Sequence, residues 1–286
     1  MIVASRGMWA ARSTAAEGQT EMRRSIINVA LEHIETTGLT VGIDEIVLDD
    51  LLSRTGVKRS EIDREWPTRQ EFLDEVFLAM AEKAREERAD SETLLSTWQY
   101  LSSRTDDLRS PEGRRQILVD VIRTAAEYNF DAVTATGAWR TYAGLSATVL
   151  SFPDTATRQR TIDALRASEM SFVETMETFY RNVLPTIGYR LKPHFGSDWQ
   201  PFVVAAASVI EGLGLIRASV PTLVERRLDV PTGSGQQPWS LASLAFMGVV
   251  DSFVEPDQNY EPDEAIARLS GGVDVTPSKA EDPDAY

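Results

Sequence analysis

Few residues of this chain are spaced for catalysis. The acidic pairs Asp49–Asp50 and Asp106–Asp107 are adjacent in the sequence, so their carboxylates would diverge on a helix instead of meeting at a substrate. The two histidines, His33 and His194, complete no Ser-His-Asp arrangement and are too few for a histidine-based metal site. The chain has no cysteine and no glycine-rich phosphate loop. The sequence therefore predicts no catalytic residue, no metal and no cofactor, and a protein that is not an enzyme.

A different chemistry is indicated by residues 48–73, which read LDDLLSRTGVKRSEIDREWPTRQEFL. Leucines at helical spacing lead up to Gly56, which can take the left-handed conformation that ends a helix. A second short helix is expected over about 58–65, and Pro67 stops it. A helix, a glycine-centred turn and a second helix form a helix-turn-helix, whose second helix enters the major groove of DNA.

This stretch resembles the tetracycline-repressor (TetR) family of bacterial regulators. Residues 55–70 (TGVKRSEIDREWPTRQ) are similar in order and spacing to the family's turn, recognition helix and exit motif. Trp66 stands where the family usually has Phe, and Arg69 stands where it usually has Lys. A first helix expected over about 20–37 matches the family's first helix. The run 207–217 resembles the family's penultimate helix, in which an acidic residue, Gly and Leu follow alanines.

The resemblance implies that the second helix binds a near-palindromic operator in double-stranded DNA. The first residues of that helix are expected at base edges, and its later arginines are expected at phosphates. Asp63 stands where the family usually has a tyrosine that contacts phosphate. The residues expected at the DNA are Thr55, Lys58, Arg59, Ser60, Asp63, Arg64 and Arg69.

Acidic residues leave an alternative open. Glu61, Asp63 and Glu65 make the second helix unusually acidic, and each carboxylate near a phosphate opposes binding. The net charge of the chain is −15, although residues 56–70 hold four basic and three acidic residues, for +1. The alternative is a TetR-like ligand-binding or protein-interaction module whose acidic head no longer binds DNA.

The chain is expected to fold as an all-α protein, with a three-helix head followed by a larger helical domain. A chain of 286 residues can bury a sizeable core. The predicted divisions are a disordered arm at 1–19, a helix-turn-helix domain at 20–70, a ligand-binding and dimerisation domain at 71–254, and a largely disordered tail at 255–286. The tail holds 2 basic and 9 acidic residues and several prolines, a composition typical of disorder.

The N-terminal basic residues allow two interpretations. One is a plain disordered terminus. The other is a flexible arm that carries Arg6, Arg12, Arg23 and Arg24 to phosphates or to the minor groove. Composition favours the first interpretation without excluding the second.

Helical spacing and breakers predict the elements of the larger domain. The expected helices cover about 72–89, 93–108, 111 onward, 130–150, 155–184, 199–219 and 238–254, with a loop at 185–196 and a linker at 229–237. Helices 199–219 and 238–254 are expected to pair two subunits as a homodimer. Neither apolar run reaches the ~20 residues of a membrane span. The sequence therefore predicts a cytoplasmic protein with no membrane partner.

Aromatic and methionine residues of the larger domain are candidates for lining a ligand cavity. Such residues at helical spacing are more often plain core, but the resemblance implies a small-molecule site between these helices. Because aromatic candidates outnumber charged ones, an apolar or aromatic effector is favoured. The candidates are Trp98, Trp139, Tyr142, Met170, Phe172, Met176, Phe179 and Tyr180.

Overall fold

Helices dominate the architecture. The computed structural model describes residues 20–34, 54, 56–86, 91–150, 155–232 and 235–270. Most of these residues are helical and the strands are short, which confirms the all-α fold class. The predicted arm at 1–19, residues 48–53 and Thr55 of the first helix of the helix-turn-helix, and residues 271–286 of the tail lie outside the described residues.

The elements follow one another in a simple order. The helices are α1 (20–34), α2 (Arg59–Glu65), α3 (Arg69–Glu86), α4 (Ser91–Ser103), α5 (Pro111–Ala135), α6 (Gly137–Val149), α7 (Thr155–Thr186), α8 (Gln200–Ser219), α9 (Pro221–Val224), α10 (Leu241–Phe253) and α11 (Pro262–Ser270). The strands are β1 (Tyr189–Leu191), β2 (Leu228–Thr232), β3 (Gly235–Trp239) and β4 (Val254–Pro256). Short 3-10 turns occupy Asp107–Arg109 and Pro193–Phe195.

The first of two compact units comprises residues 1–87 and 136–168. Its core contains Ile62 and Trp66, which leave only 3% and 4% of their surface exposed, so the predicted inner face of α2 is confirmed. The Trp66 ring meets the Phe72 ring edge-on, with 5.2 Å between the centroids. The same core takes its other buried side chains from α1, α3, α6 and α7: Ile26, Ile27, Ala30, Leu31, Ile34, Val76, Phe77, Met80, Ala81, Leu145, Val149 and Leu165.

This unit includes a segment of the chain that was not predicted to belong to the head. Residues 136–168, expected in the larger domain, cluster with the head because Leu145, Val149 and Leu165 share its core. The helix expected over 130–150 is also divided, since Thr136 is extended and its hydroxyl accepts a hydrogen bond from the Trp139 backbone N–H at 3.0 Å. A threonine in that role begins a new helix.

The second unit comprises residues 88–135 and 169–286. Helix α10 packs against both α5 and α8 at its centre. The expected linker at 229–237 is instead an antiparallel hairpin of β2 and β3, in which Leu228 faces Trp239. Trp239 is almost completely buried, and α10 begins only after Ser240, whose hydroxyl accepts from the Ser243 backbone N–H at 3.1 Å.

The prediction of a largely disordered tail from residue 255 is wrong for residues 255–270. Strand β4 pairs antiparallel with β1, and α11 buries Ala265 completely. The Tyr260 hydroxyl donates to the Thr186 carbonyl oxygen at 2.9 Å, and Arg109 pairs with Asp263 at 2.6 Å. We name residues 254–270 the C-terminal strap. Long-range packing orders this segment despite its acidic composition.

Helix α8 carries a longer apolar run than was predicted from the sequence. It has 20 residues, and an 18-residue window of it reaches a mean hydropathy of 1.6. Within the described part of the chain it is the one helix long and apolar enough to cross a membrane, so the expectation that this run is too short is wrong. A single such helix is weak support for a span, because helices of soluble cores pass the same test.

Candidate nucleic-acid interface and ligand cavity

The turn before α2 is built as the sequence predicts. Gly56 has a φ of +67°, a conformation that glycine adopts without a steric penalty. Lys58 is extended, and its backbone N–H donates to Oε2 of Glu61 at 3.1 Å. Glu61 thus satisfies a donor at the start of the helix, where the helix dipole also favours a negative charge.

The outer surface of α2 is basic. The exposed side chains there are those of Lys58, Arg59, Ser60, Asp63 and Arg64. Of the other two residues expected at the DNA, Thr55 lies outside the described residues, and Arg69 begins α3 with only its backbone described. The structure therefore brings five of the seven predicted DNA contacts onto one short exposed segment.

Arg59 and Asp63 form an ion pair on this surface. Nε of Arg59 lies 3.2 Å from Oδ1 of Asp63, one helical turn away, and both side chains are more than half exposed. Exposed pairs of this spacing stabilise a helix by only about 0.3–0.5 kcal/mol. The pair can therefore open when a stronger partner binds Arg59.

Glu65 is turned inward, so it does not belong to the acidic outer face that the sequence suggested. Its side chain is only 1% exposed and lies 3.7 Å from Nη1 of Arg23 and 3.4 Å from Nε of Arg64. Arg23 also pairs with Glu75 and lies over the Trp66 ring, 4.9 Å from its centroid. Arg23 is therefore part of the packed head and not of a flexible arm.

The second unit contains a small, partly open apolar cavity of about 80 Å³ between α4, α5, α7, α8 and α10. Its lining comprises Thr93, Leu94, Thr97, Leu118, Val121, Ile122, Ala125, Ala126, Asn129, Met176, Phe179, Tyr180, Val183, Leu184, Ile187, Phe202, Ile210, Phe246 and Val250. No Asp, Glu, Lys, Arg or His occurs in this set. Such a cavity suits an uncharged occupant, because a buried charge without a partner is strongly unfavourable.

Three of the eight predicted ligand residues line this cavity, namely Met176, Phe179 and Tyr180. Trp98 is buried behind them, edge-on to Phe179 with 6.4 Å between ring centroids. Met170 is 41% exposed, and Phe172 lies on α7 without lining the cavity. Trp139 and Tyr142 belong to the first unit, where Tyr142 packs against the core.

The cavity residues on the other helices were not predicted from the sequence. Asn129 on α5 and the phenylalanines Phe202 and Phe246 line it beside Tyr180. Phe202 and Phe246 were visible only as members of apolar runs, and a lone asparagine gives no signal of its own. Their convergence depends on contacts between helices that are distant in the sequence.

Larger depressions in each unit are open grooves with charged walls. The groove of the first unit measures about 1170 Å³ and includes Arg160, whose guanidinium pairs with Asp74 at 2.9 Å. The groove of the second unit measures about 680 Å³ and includes Arg115, which pairs with Asp251 at 3.1 Å. Within the described ranges, no three His, Asp or Glu side chains are grouped to hold a metal ion.

One face of α8 exposes large apolar side chains. Val204, Leu215 and Ile216 are each at least half exposed, and Leu223 on the following α9 is 63% exposed. Gly212 lies on the same side at helical spacing, and a methyl group added there would meet no atom within 4 Å. This apolar surface, with a glycine where another backbone could approach, lies on one of the helices expected to pair two subunits.

No protein-family model matches this chain, and no curated protein sequence matches it.

Proposed function

We propose that this protein is a DNA-binding transcriptional regulator, a repressor that acts as a homodimer and leaves a near-palindromic operator when a small molecule binds. The proposal rests chiefly on the basic start of α2, where Lys58, Arg59 and Ser60 are exposed together after a glycine turn. Its second support is the resemblance of residues 55–70 to the TetR recognition helix and exit motif.

The surroundings of the three carboxylates strengthen the proposal. Glu65 is buried against arginines, and Glu61 is held at the start of the helix. Of the acidic residues on α2, Asp63 remains fully on the outer surface, beside three exposed cations. A surface of this composition attracts phosphate, whereas the sequence alone left the sign of the local field almost balanced.

A second candidate function is supported by Asp63. This carboxylate is 62% exposed and already binds Arg59, one of the residues assigned to base edges. If the pair persisted, both side chains would be withheld from DNA. The head would then serve a ligand-binding or protein-interaction module that does not bind DNA.

The homodimer is proposed from the exposed face of α8. Covering Val204, Leu215 and Ile216 with the same surface of a second copy would remove apolar area from water, which favours association. A dimer would also present two α2 helices to successive major grooves of a symmetric operator. Such a regulator would work in the bacterial cytoplasm, as the resemblance implies.

Binding to the DNA that flanks the protein's own coding region tests the proposed function. We expect salt-sensitive and sequence-selective binding, measured on flanking and scrambled duplexes at two salt concentrations. Arg59→Ala should weaken binding and relax the preference at one base position by about 1–3 kcal/mol. Arg166→Ala is the matched control, because Arg166 is an equally exposed arginine paired with Asp163 at 3.0 Å in the same unit.

The outcomes separate the two candidate functions. An effect of Arg59→Ala without an effect of Arg166→Ala supports the regulator. Absence of any binding at low salt would contradict it and would favour the interaction module.

A further inference from the structure

Two polar side chains of the small cavity make no hydrogen bond with any residue in the described part of the chain. They are Asn129 on α5 and Tyr180 on α7. The other polar residues of the lining are Thr93 and Thr97, and the Thr97 hydroxyl donates to the Thr93 carbonyl oxygen at 2.8 Å. Asn129 and Tyr180 are both of intermediate exposure, so a molecule that enters the cavity can supply the hydrogen-bond partner in place of water.

The Tyr180 ring is fixed by aromatic neighbours. Its centroid lies 4.9 Å from that of Phe202 and 5.4 Å from that of Phe179, both edge-on, and 6.3 Å from that of Phe246. Burial raises the pKa of Tyr180, so its hydroxyl remains protonated at neutral pH. A neutral phenol donates one hydrogen bond and also accepts. The Tyr180 ring is fixed and its hydroxyl is a donor in an apolar cavity. This arrangement favours a ligand with an oxygen atom that accepts a hydrogen bond.

The volume of the cavity limits the size of this ligand. It measures about 80 Å³, whereas drug-sized pockets measure roughly 300–1,000 Å³. An apolar cavity of roughly 150 Å³ holds benzene, so a ring can bind here only if the cavity widens. The thioether of Met176 can adjust to a bound molecule, because methionine has three rotatable bonds and no branch. The occupant should therefore be a short chain or, if the side chains adjust, at most a single ring.

We propose that this cavity binds a small neutral molecule with one hydroxyl or carbonyl oxygen, which accepts a hydrogen bond from the Tyr180 hydroxyl. The apolar remainder of the molecule would lie against Phe202 and Phe246, and Asn129 provides a second polar contact for a hydroxyl. Ions are excluded because the lining offers no countercharge. The role of this molecule as the effector rests on the proposed function, whereas its binding to the cavity does not.

Three probes of similar shape test the chemical class: phenol, benzene and benzoate. Calorimetry or ligand-observed NMR on the full chain, without DNA, gives the affinity of each. We expect phenol to bind at least about fivefold more tightly than benzene, the ratio that one net hydrogen bond supplies. Benzoate should bind more weakly than either.

Tyr180→Phe identifies the donor. This variant keeps the ring but loses the hydroxyl, so phenol and benzene should bind to it with affinities within about twofold of each other. Tyr128→Phe is the control, because Tyr128 also lies in the second unit but is 47% exposed on α5. It should keep the wild-type preference for phenol.

Several results would overturn the inference. These are equal binding of phenol and benzene to the wild type, tighter binding of benzoate, a preference for phenol that survives in Tyr180→Phe, or no binding of any neutral probe at millimolar concentration. Because DNA is absent from these measurements, failure of the proposed regulator leaves them unchanged. Conversely, a chain that binds DNA but shows one of these results would retain the proposed function and lose this inference.

Discussion

Glu61, Asp63 and Glu65 lie within five positions of one another on α2, yet each carboxylate meets a different environment. Glu61 accepts from the backbone of Lys58, Asp63 pairs with Arg59 at the surface, and Glu65 is buried against Arg23. The electrostatic character of the helix therefore depends on where each carboxylate points, and a sum of charges over the segment does not describe it.

Replacing Asp63 should raise DNA affinity. Asp63→Tyr removes a repulsion of about 1 kcal/mol per phosphate at 4 Å in water and releases Arg59. Since phosphate contacts position the protein without reading sequence, binding should tighten on operator and scrambled DNA alike. Asp163→Tyr is the control, because Asp163 is a similarly exposed carboxylate that pairs with Arg166 in the same unit. Loss of binding in Asp63→Tyr would show that α2 is not docked as proposed.

The buried Glu65 should make the head depend on Arg23. Arg23→Met keeps the aliphatic stem but removes a cation that contacts Glu65, Glu75 and the Trp66 ring. Leaving buried polar groups without such a partner costs about 1–3 kcal/mol. Thermal unfolding followed by circular dichroism should show this loss. Arg24→Met is the control, since Arg24 forms an exposed pair with Glu21 and should change little. Equal effects of the two variants would contradict this account of the network.

The inward side of α2 can be predicted from the sequence, whereas the position of Glu65 cannot. The spacing of Ile62 and Trp66 is a local signal, because residues one turn apart share a helix face. The burial of Glu65 depends on an arginine 42 positions earlier in the chain. A carboxylate is expected at the surface unless such a partner is known.

At the scale of elements, the order of the C-terminal strap also depends on long-range contacts that the local sequence does not predict. The start of α5 at Pro111 is confirmed because proline is favoured in the first turn of a helix. The strap was missed because its prolines and acids are typical of disorder, while its order comes from distant contacts such as Tyr260 with Thr186. The cavity was predicted only in part for the same reason. Its lining residues on α7 follow helical spacing, which is a local signal, whereas Asn129 and Phe246 come close to them only after folding.

Removing the C-terminal strap beyond β4 should destabilise the second unit. A chain that ends after Pro256 loses the Tyr260 hydrogen bond, buried Ala265, and the packing of Ile266 and Leu269 against the core. We expect the melting temperature to fall by about 5 °C or more. A chain that ends after Ser270 keeps all of these contacts and serves as the control. If both truncations melt at the same temperature as the full chain, the strap does not stabilise the unit.

At the scale of the whole molecule, the proposed homodimer would be held together by the exposed face of α8. Gly212→Arg adds a long charged side chain where the protomer has open space, so the helix should fold normally. Across a two-fold axis, the same side chain would separate two closely packed helices. Light scattering should then report a monomer, with unchanged helical content by circular dichroism. Ser102→Arg, at an exposed position of α4, should leave the mass of the dimer unchanged. A dimer that survives Gly212→Arg would exclude this face.

The salt dependence of DNA binding by Arg64→Ala tests the central claim most directly. Arg64 is 67% exposed on α2 and is assigned to a phosphate. Each phosphate contact contributes about 0.9 to the slope of log affinity against log salt, so a dimer that loses one contact per head should show a slope shallower by about 2. Arg166→Ala should keep the wild-type slope. Identical slopes for wild type and Arg64→Ala, or no binding by the wild type at low salt, would contradict the assignment of α2 to DNA.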